Sequence, residues 1–193
     1  MAMPTAYPIQ FLVDPPAPQN RLTVLVRIFL AIPHFIILYF LRLALQVVSI
    51  IAWFAILIVG RYPRGMYAFA AGCARWQALV NGYLFLLTDK YPPFALDDMA
   101  DYPLRFLTSD ETENRNRLTT FFRLFMVIPH LFVLAFIGIA ASVVLVIAWF
   151  AALIVGYVPA GMHGFLAGYN RWSARVNAYF DLLTDVYPPF SLE

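Results

Sequence analysis

The chain has 193 residues, of which 62% are hydrophobic and only 12% charged, with a formal net charge of +2. A globule of 22.0 kDa cannot hide that much apolar surface from water, which excludes a purely soluble core; the small net charge excludes the basic field that nucleic-acid binding requires. A single cysteine, Cys73, rules out an internal disulfide, and no Cys/His cluster has zinc spacing.

Taken in order, Met1 to Asn20 holds one extended piece, Tyr7 to Val13, stopped by Asp14, Pro15, Pro16 and Pro18. The pattern predicts a strand or arm at a membrane surface. The segment lacks a basic stretch followed by an apolar core and a small-residue cleavage site, so the expectation is that the first span directs its own insertion. From Leu22 to Gly60 the sequence is almost unbroken apolar residues, whereas one helix needs about 20 to cross the hydrocarbon. The reading is two spans, near 22–41 and 44–60, with a hairpin bend at the polar interruption Arg42 to Gln46. Arg61-Tyr62-Pro63-Arg64-Gly65 then stops the helix, a third helix is expected at about 66–88, and Leu86 to Phe94 (LLTDxYPPF) closes the unit.

The acidic linker Ala95 to Asn116 contains a second extended piece, Tyr102 to Thr108, and then the unit returns. At an offset of 96, Arg21 to Leu96 matches Arg117 to Leu192 at 43 of 76 positions, so the chain is a tandem duplication. Unit 1 is residues 1–96 and unit 2 is residues 97–193. The second copy places spans near 118–137 and 140–156, with the bend at Gly138 and Ser142, and a third helix at about 162–184. In that helix Phe165, Tyr169, Trp172, Val176, Tyr179 and Leu183 form an apolar stripe opposite Asn170, Arg171, Arg175, Asn177 and Asp181, the profile of a helix in the interface plane. The first copy repeats the stripe with a less polar reverse side.

Charge orients this arrangement. With two spans per unit, every arginine and lysine except Arg42 falls on one side, as expected for cytoplasmic loops. The expected fold is an all-α integral membrane protein of two tandem repeats, each a transmembrane helical hairpin plus an interfacial amphipathic helix, four spans in total. Both termini are expected in the cytoplasm.

The unit resembles a bacterial family catalogued as domain of unknown function 4389. The resemblance rests on the YPxxFxV arm, RIFLAIPH, IAWFAILIVGRYPRG, Arg-Trp and LLTDxYPPF, and covers nearly the whole chain in two copies. Unit 2 departs at Tyr157, Val158 and Ala160, where the basic RYPRG has become YVPAG. The resemblance implies a small protein of the bacterial inner membrane.

His34 and His130 each follow a proline within a span, and Arg27 and Arg123 lie seven residues earlier on the same face. An ionisable group at membrane depth marks a site by default. Arg27, His34, Arg123 and His130 are therefore candidate ligand-binding residues for a lipid phosphate or a polar head group. Equally, the arginines can snorkel while the histidines bond tryptophan or backbone in a packed bundle. Arg75, Trp76, Arg171 and Trp172 are candidate contacts to anionic lipid, and Asp89 and Asp185 candidate partners for those helix arginines. No catalytic motif is present: the serines sit in no GxSxG elbow, and there is no HExxH and no phosphate loop. The sequence thus points to a non-catalytic inner-membrane scaffold or accessory subunit, without cofactor or metal. Its partners are membrane lipids and a membrane complex or further copies of itself. The alternative is a small oligomeric channel or transporter with His34 and His130 near the path.

Overall fold

Both repeats begin and end their long helix with the same chemistry. The Asn20 side chain accepts from the Leu22 amide, and the Asn116 side chain from the amides of Leu118 and Thr119, satisfying donors that a helix start leaves free. At the other end Gly60 (φ 79°) and Gly156 (φ 87°) adopt the left-handed conformation that stops a helix. The computed structural model describes residues 7–193. It contains β1 (Ile9–Val13), α1 (Arg21–Val59), α2 (Arg64–Leu84), β2 (Leu104–Thr108), α3 (Arg117–Val155) and α4 (Ala160–Phe180).

The bends expected at Arg42 to Gln46 and at Gly138 to Ser142 do not form: α1 and α3 are each one continuous helix of 39 residues. Leu41 to Gln46 are all good helix formers with no glycine or proline among them. In α3 the Ser142 hydroxyl donates back to the Gly138 carbonyl at 2.8 Å, so the polar turn stays within the ladder. The pairs of spans 22–41 with 44–60 and 118–137 with 140–156 are thus single helices. Both are long and apolar enough to cross a membrane.

The two long helices run antiparallel. Trp53 Nε1 donates to the Thr120 carbonyl and Trp149 Nε1 to the Val24 carbonyl, both at 3.0 Å, so each helix's start lies beside the other's end. Alanines at the contact, Ala52, Ala141, Ala148 and Ala152, are fully buried and let the backbones approach closely. Helices α2 and α4 fold back along α1 and α3 and also touch each other. Strands β1 and β2 pair antiparallel, with Phe11 opposite Phe106, and the ribbon packs across α2 and α4. The result is three layers: ribbon, short helices, long helices.

The short helices are buried middle elements, not surface ones, which corrects the expectation for 66–88 and 162–184. Much of each polar side bonds protein rather than solvent. Asn170 donates to the Leu166 carbonyl at 2.9 Å, and Ala70, Ala71, Ala78, Ala167 and Ala178 are buried. The repeats also interlock. β1 packs on α4 and β2 on α2, Tyr67 donates to the Leu183 carbonyl, and His163 lies 3.3 Å from the Leu87 carbonyl.

Candidate functional site

Each repeat builds the same polar nest where the start of its long helix meets the end of its short one. In unit 1 the chain leaves α2 through Leu86, held at φ 61° although it is not a glycine, and Leu87 donates to the Gly82 carbonyl to close the turn. The turn leaves carbonyls facing inward, and Arg27, 3% exposed, reaches them from α1. Its guanidinium donates to the carbonyls of Tyr83 and Thr88, to Gln19 Oε1 at 3.0 Å and to Asp89 Oδ1 at 3.1 Å, and lies 4.4 Å from the Tyr83 ring centre. Unit 2 repeats the nest with Leu182 at φ 66° and with Arg123 donating to Tyr179, Thr184 and Asp185. There Arg115 replaces Gln19 and grips Asp185 with two bonds of 3.0 and 2.7 Å. Burial drives the Asp185 carboxyl up, but the bonds from Arg115 and the charge of Arg123 outweigh it and hold the group below the usual carboxylate range.

The histidines occupy aromatic cages two turns further along. His34 Nδ1 accepts from Trp76 Nε1 at 3.1 Å, Phe94 stacks on its ring at 4.1 Å, and Tyr91 leans on it at 4.9 Å. His130 has the same surroundings in Trp172, Phe190 and Tyr187. Because indole only donates, each imidazole accepts at Nδ1 and carries its proton on Nε2. Both Nε2 atoms are buried without a partner in the protein among the described residues. Tyr91 hydroxyl donates to the Leu30 carbonyl and Tyr187 hydroxyl to the Met126 carbonyl, next to the helix carbonyl that each intrahelical proline leaves without an amide. The closing YPPF segment is therefore a clasp on the long helix.

The structure brings Arg27 with Asp89, His34 with Trp76, Arg123 with Asp185, and His130 with Trp172. It does not bring Arg75 and Arg171 to those aspartates. Arg75 donates to the carbonyls of Phe106 and Leu96, and Arg171 to those of Phe11 and Leu192, so both tie the ribbon and the segments that follow the clasps to the short helices. Among the described residues no group of three metal-ligating side chains converges.

The pairing of Arg42 with Asp181 is not foreshadowed by the sequence pattern. They form an ion pair of 3.1 Å between the repeats, with the Asp181 side chain only 5% exposed. Burial pushes the Asp181 carboxyl up to about 6, against the pull of Arg42. The pair lies on the wall of a 500 Å³ cavity between α1, α3 and the end of α4. Arg42 stood out as the one cation off the common side, but its partner lies 139 residues away and no local pattern could supply it.

A family model with the description domain of unknown function (DUF4389) matches residues 21–95 and 117–191. The chain belongs to this family. Each DUF4389 copy begins at the first residue of a long helix and ends one residue past the clasp, so the match contains both buried arginines with their aspartates and histidine cages, while Gln19 and Arg115 lie just ahead of it. No curated protein and no solved structure matches the chain.

Proposed function

We propose that this DUF4389 protein is a non-catalytic membrane scaffold whose long helices lie in the plane of one leaflet. The observation that carries the reading is the opposition of two faces. Eighteen large apolar side chains of α1 and sixteen of α3 are exposed, from Leu22 to Val59 and from Leu118 to Val155. At half exposure these make on the order of 3,000 Å² of apolar surface, several times the largest patch of an ordinary soluble monomer. The ribbon covers the short helices on the opposite side, and beside it Asp97, Asp98 and Asp101 are exposed.

Helices of 39 residues are about 58 Å long, roughly twice the hydrocarbon thickness. Standing upright, the pair would overhang the bilayer and carry those aspartates into its middle, at about 3 kcal/mol per charge. Lying flat, its apolar face sinks about 5–10 Å into the acyl boundary and the ribbon stays in water. Arg21, Arg61, Arg64 and Arg117 are exposed at the helix ends, where they meet anionic headgroups. Both termini then share one side, the cytoplasmic face of the bacterial inner membrane on the basic-rim argument. The histidine cages count against a channel: neither histidine lines the cavity between the long helices.

The test is labelling in sealed vesicles by a membrane-impermeant maleimide, in a Cys73→Ser background. Single cysteines replace Asp14, Asp98 and Glu113, which sit near the two ends of α1 and near its middle. Flat seating exposes all three on the same side. Labelling of Asp14→Cys and Glu113→Cys from opposite sides, with Asp98→Cys protected, would overturn it.

A further inference from the structure

The duplication has left its two halves unequal at the pseudo-twofold axis. In one half Arg42 of α1 meets Asp181 after α4, beside Cys73. The equivalent positions in the other half are Gly138, Phe85 and Tyr169. There Phe85 and Tyr169 pack at 5.6 Å, and the Tyr169 hydroxyl lies 3.1 Å from where a Gly138 side chain would begin, so aromatic rings plug the space. On the Arg42 side the same space is polar at its base and opens into the 500 Å³ cavity.

The cavity grades from charge to oil. Arg42, Gln46 and Ser49 stand on its α1 wall, and Ser49 Oγ is buried without a partner. Arg42 spends one of its five donors on Asp181 and its side chain is still 41% exposed, so its guanidinium has donors to offer. Arg123 also lines it, with its guanidinium committed to Tyr179, Thr184 and Asp185; the remaining walls are apolar, and Ile50, Phe54 and Leu124 carry them out onto the exposed face of the long helices. The volume is that of an ordinary small-molecule site.

We propose that this cavity binds one anionic amphiphile, its carboxylate or phosphate head bonded to Arg42 and its chain running out between Ile50, Phe54 and Leu124. The proposal rests on the flat seating, which places the cavity mouth among acyl chains. Asp181 orients Arg42 from one side while the head takes the other, an arrangement in which the planar guanidinium bridges two anions. The duplicate half is the built-in control, since the same fold there has closed the site.

The test is native mass spectrometry of the full chain purified in mild detergent, followed by competition with palmitate and with phosphatidylglycerol. The comparison variant is Arg42→Gly with Cys73→Tyr and Asp181→Phe, which installs the residues of the plugged half. One anionic amphiphile per wild-type chain is expected, lost from the triple variant and bound at least tenfold more weakly by Arg42→Gln. Displacement by palmitate alone identifies a free fatty acid, and displacement by phosphatidylglycerol a phospholipid. Absence of a stoichiometric anionic amphiphile from the wild type, or equal retention by the triple variant, overturns the proposal. So does equal binding of stearyl alcohol, which has the chain without the charge. The maleimide labelling pattern of the triple variant reports the seating separately, so the two readings fail independently.

Discussion

Replacing Arg27 by methionine separates a lipid-binding arginine from a structural one. Methionine preserves much of the stem's bulk and removes the guanidinium. The structure then loses two bonds to the carbonyls of Tyr83 and Thr88, one to Gln19 and the ion pair with Asp89, all at a residue 3% exposed. A bond from a charged donor is worth about 1.5–3 kcal/mol, and removing one partner of a buried ion pair costs about 3–5 kcal/mol, because the groups left behind stay desolvated. Asp89 is 28% exposed and retains the Thr23 hydroxyl and the Asn20 amide, so part of its penalty is screened. The expected loss is about 3–4 kcal/mol, or roughly 10 °C in Tm at this chain length. Thermal unfolding in mild detergent, followed by tryptophan emission, measures it, and the loss should be the same with and without added anionic lipid. A shift under about 2 °C, or a shift seen only when anionic lipid is present, would show that Arg27 serves the headgroup and not the end of α2.

The remaining predictions use the same readout. Trp53→Phe and Trp149→Phe each remove one bond between the long helices, so each should cost about 1 kcal/mol, and the double variant should show the sum because the sites lie at opposite ends of the pair. Leu86→Gly relieves a left-handed backbone worth about 1 kcal/mol but strips a side chain 1% exposed, worth about 2 kcal/mol or more; a net loss is expected, and a gain would mean the strain dominates. The Asp181 carboxyl is raised from 3.8 to about 6 in the folded protein, so its contribution to stability is fully present below pH 3.8 and is lost as pH rises through 6. Asp181→Asn should therefore flatten the stability profile between pH 7 and 5, a window in which the wild type gains about 1 kcal/mol on acidification; an unchanged profile would place the carboxyl in water.

The two long apolar stretches, the duplication and the unit that is duplicated were legible in the sequence, because hydropathy and a 96-residue repeat are properties of the chain read locally. The caps were equally legible: asparagine before each apolar run and glycine after it act on neighbouring backbone. The spacing puts Arg27 and His34 on one helix face and Trp76 on an apolar stripe, and all three side chains are buried. What they would meet was decided only in three dimensions, since Asp89, Tyr91 and Phe94 arrive from a clasp some sixty residues on.

Two expectations failed for one physical reason. Comparison with bilayer thickness divides a run of forty apolar residues in two, but nothing in Leu41 to Gln46 breaks a helix, so the run stays one helix. The polar reverse sides of the short helices predict an interfacial position, yet their Arg75 and Arg171 bond the ribbon. Amphipathicity fixes that a helix has two faces; tertiary packing chooses what each one meets. The Arg42–Asp181 pair and its cavity belong wholly to that second level, because they exist only where two diverged copies face each other across their shared axis.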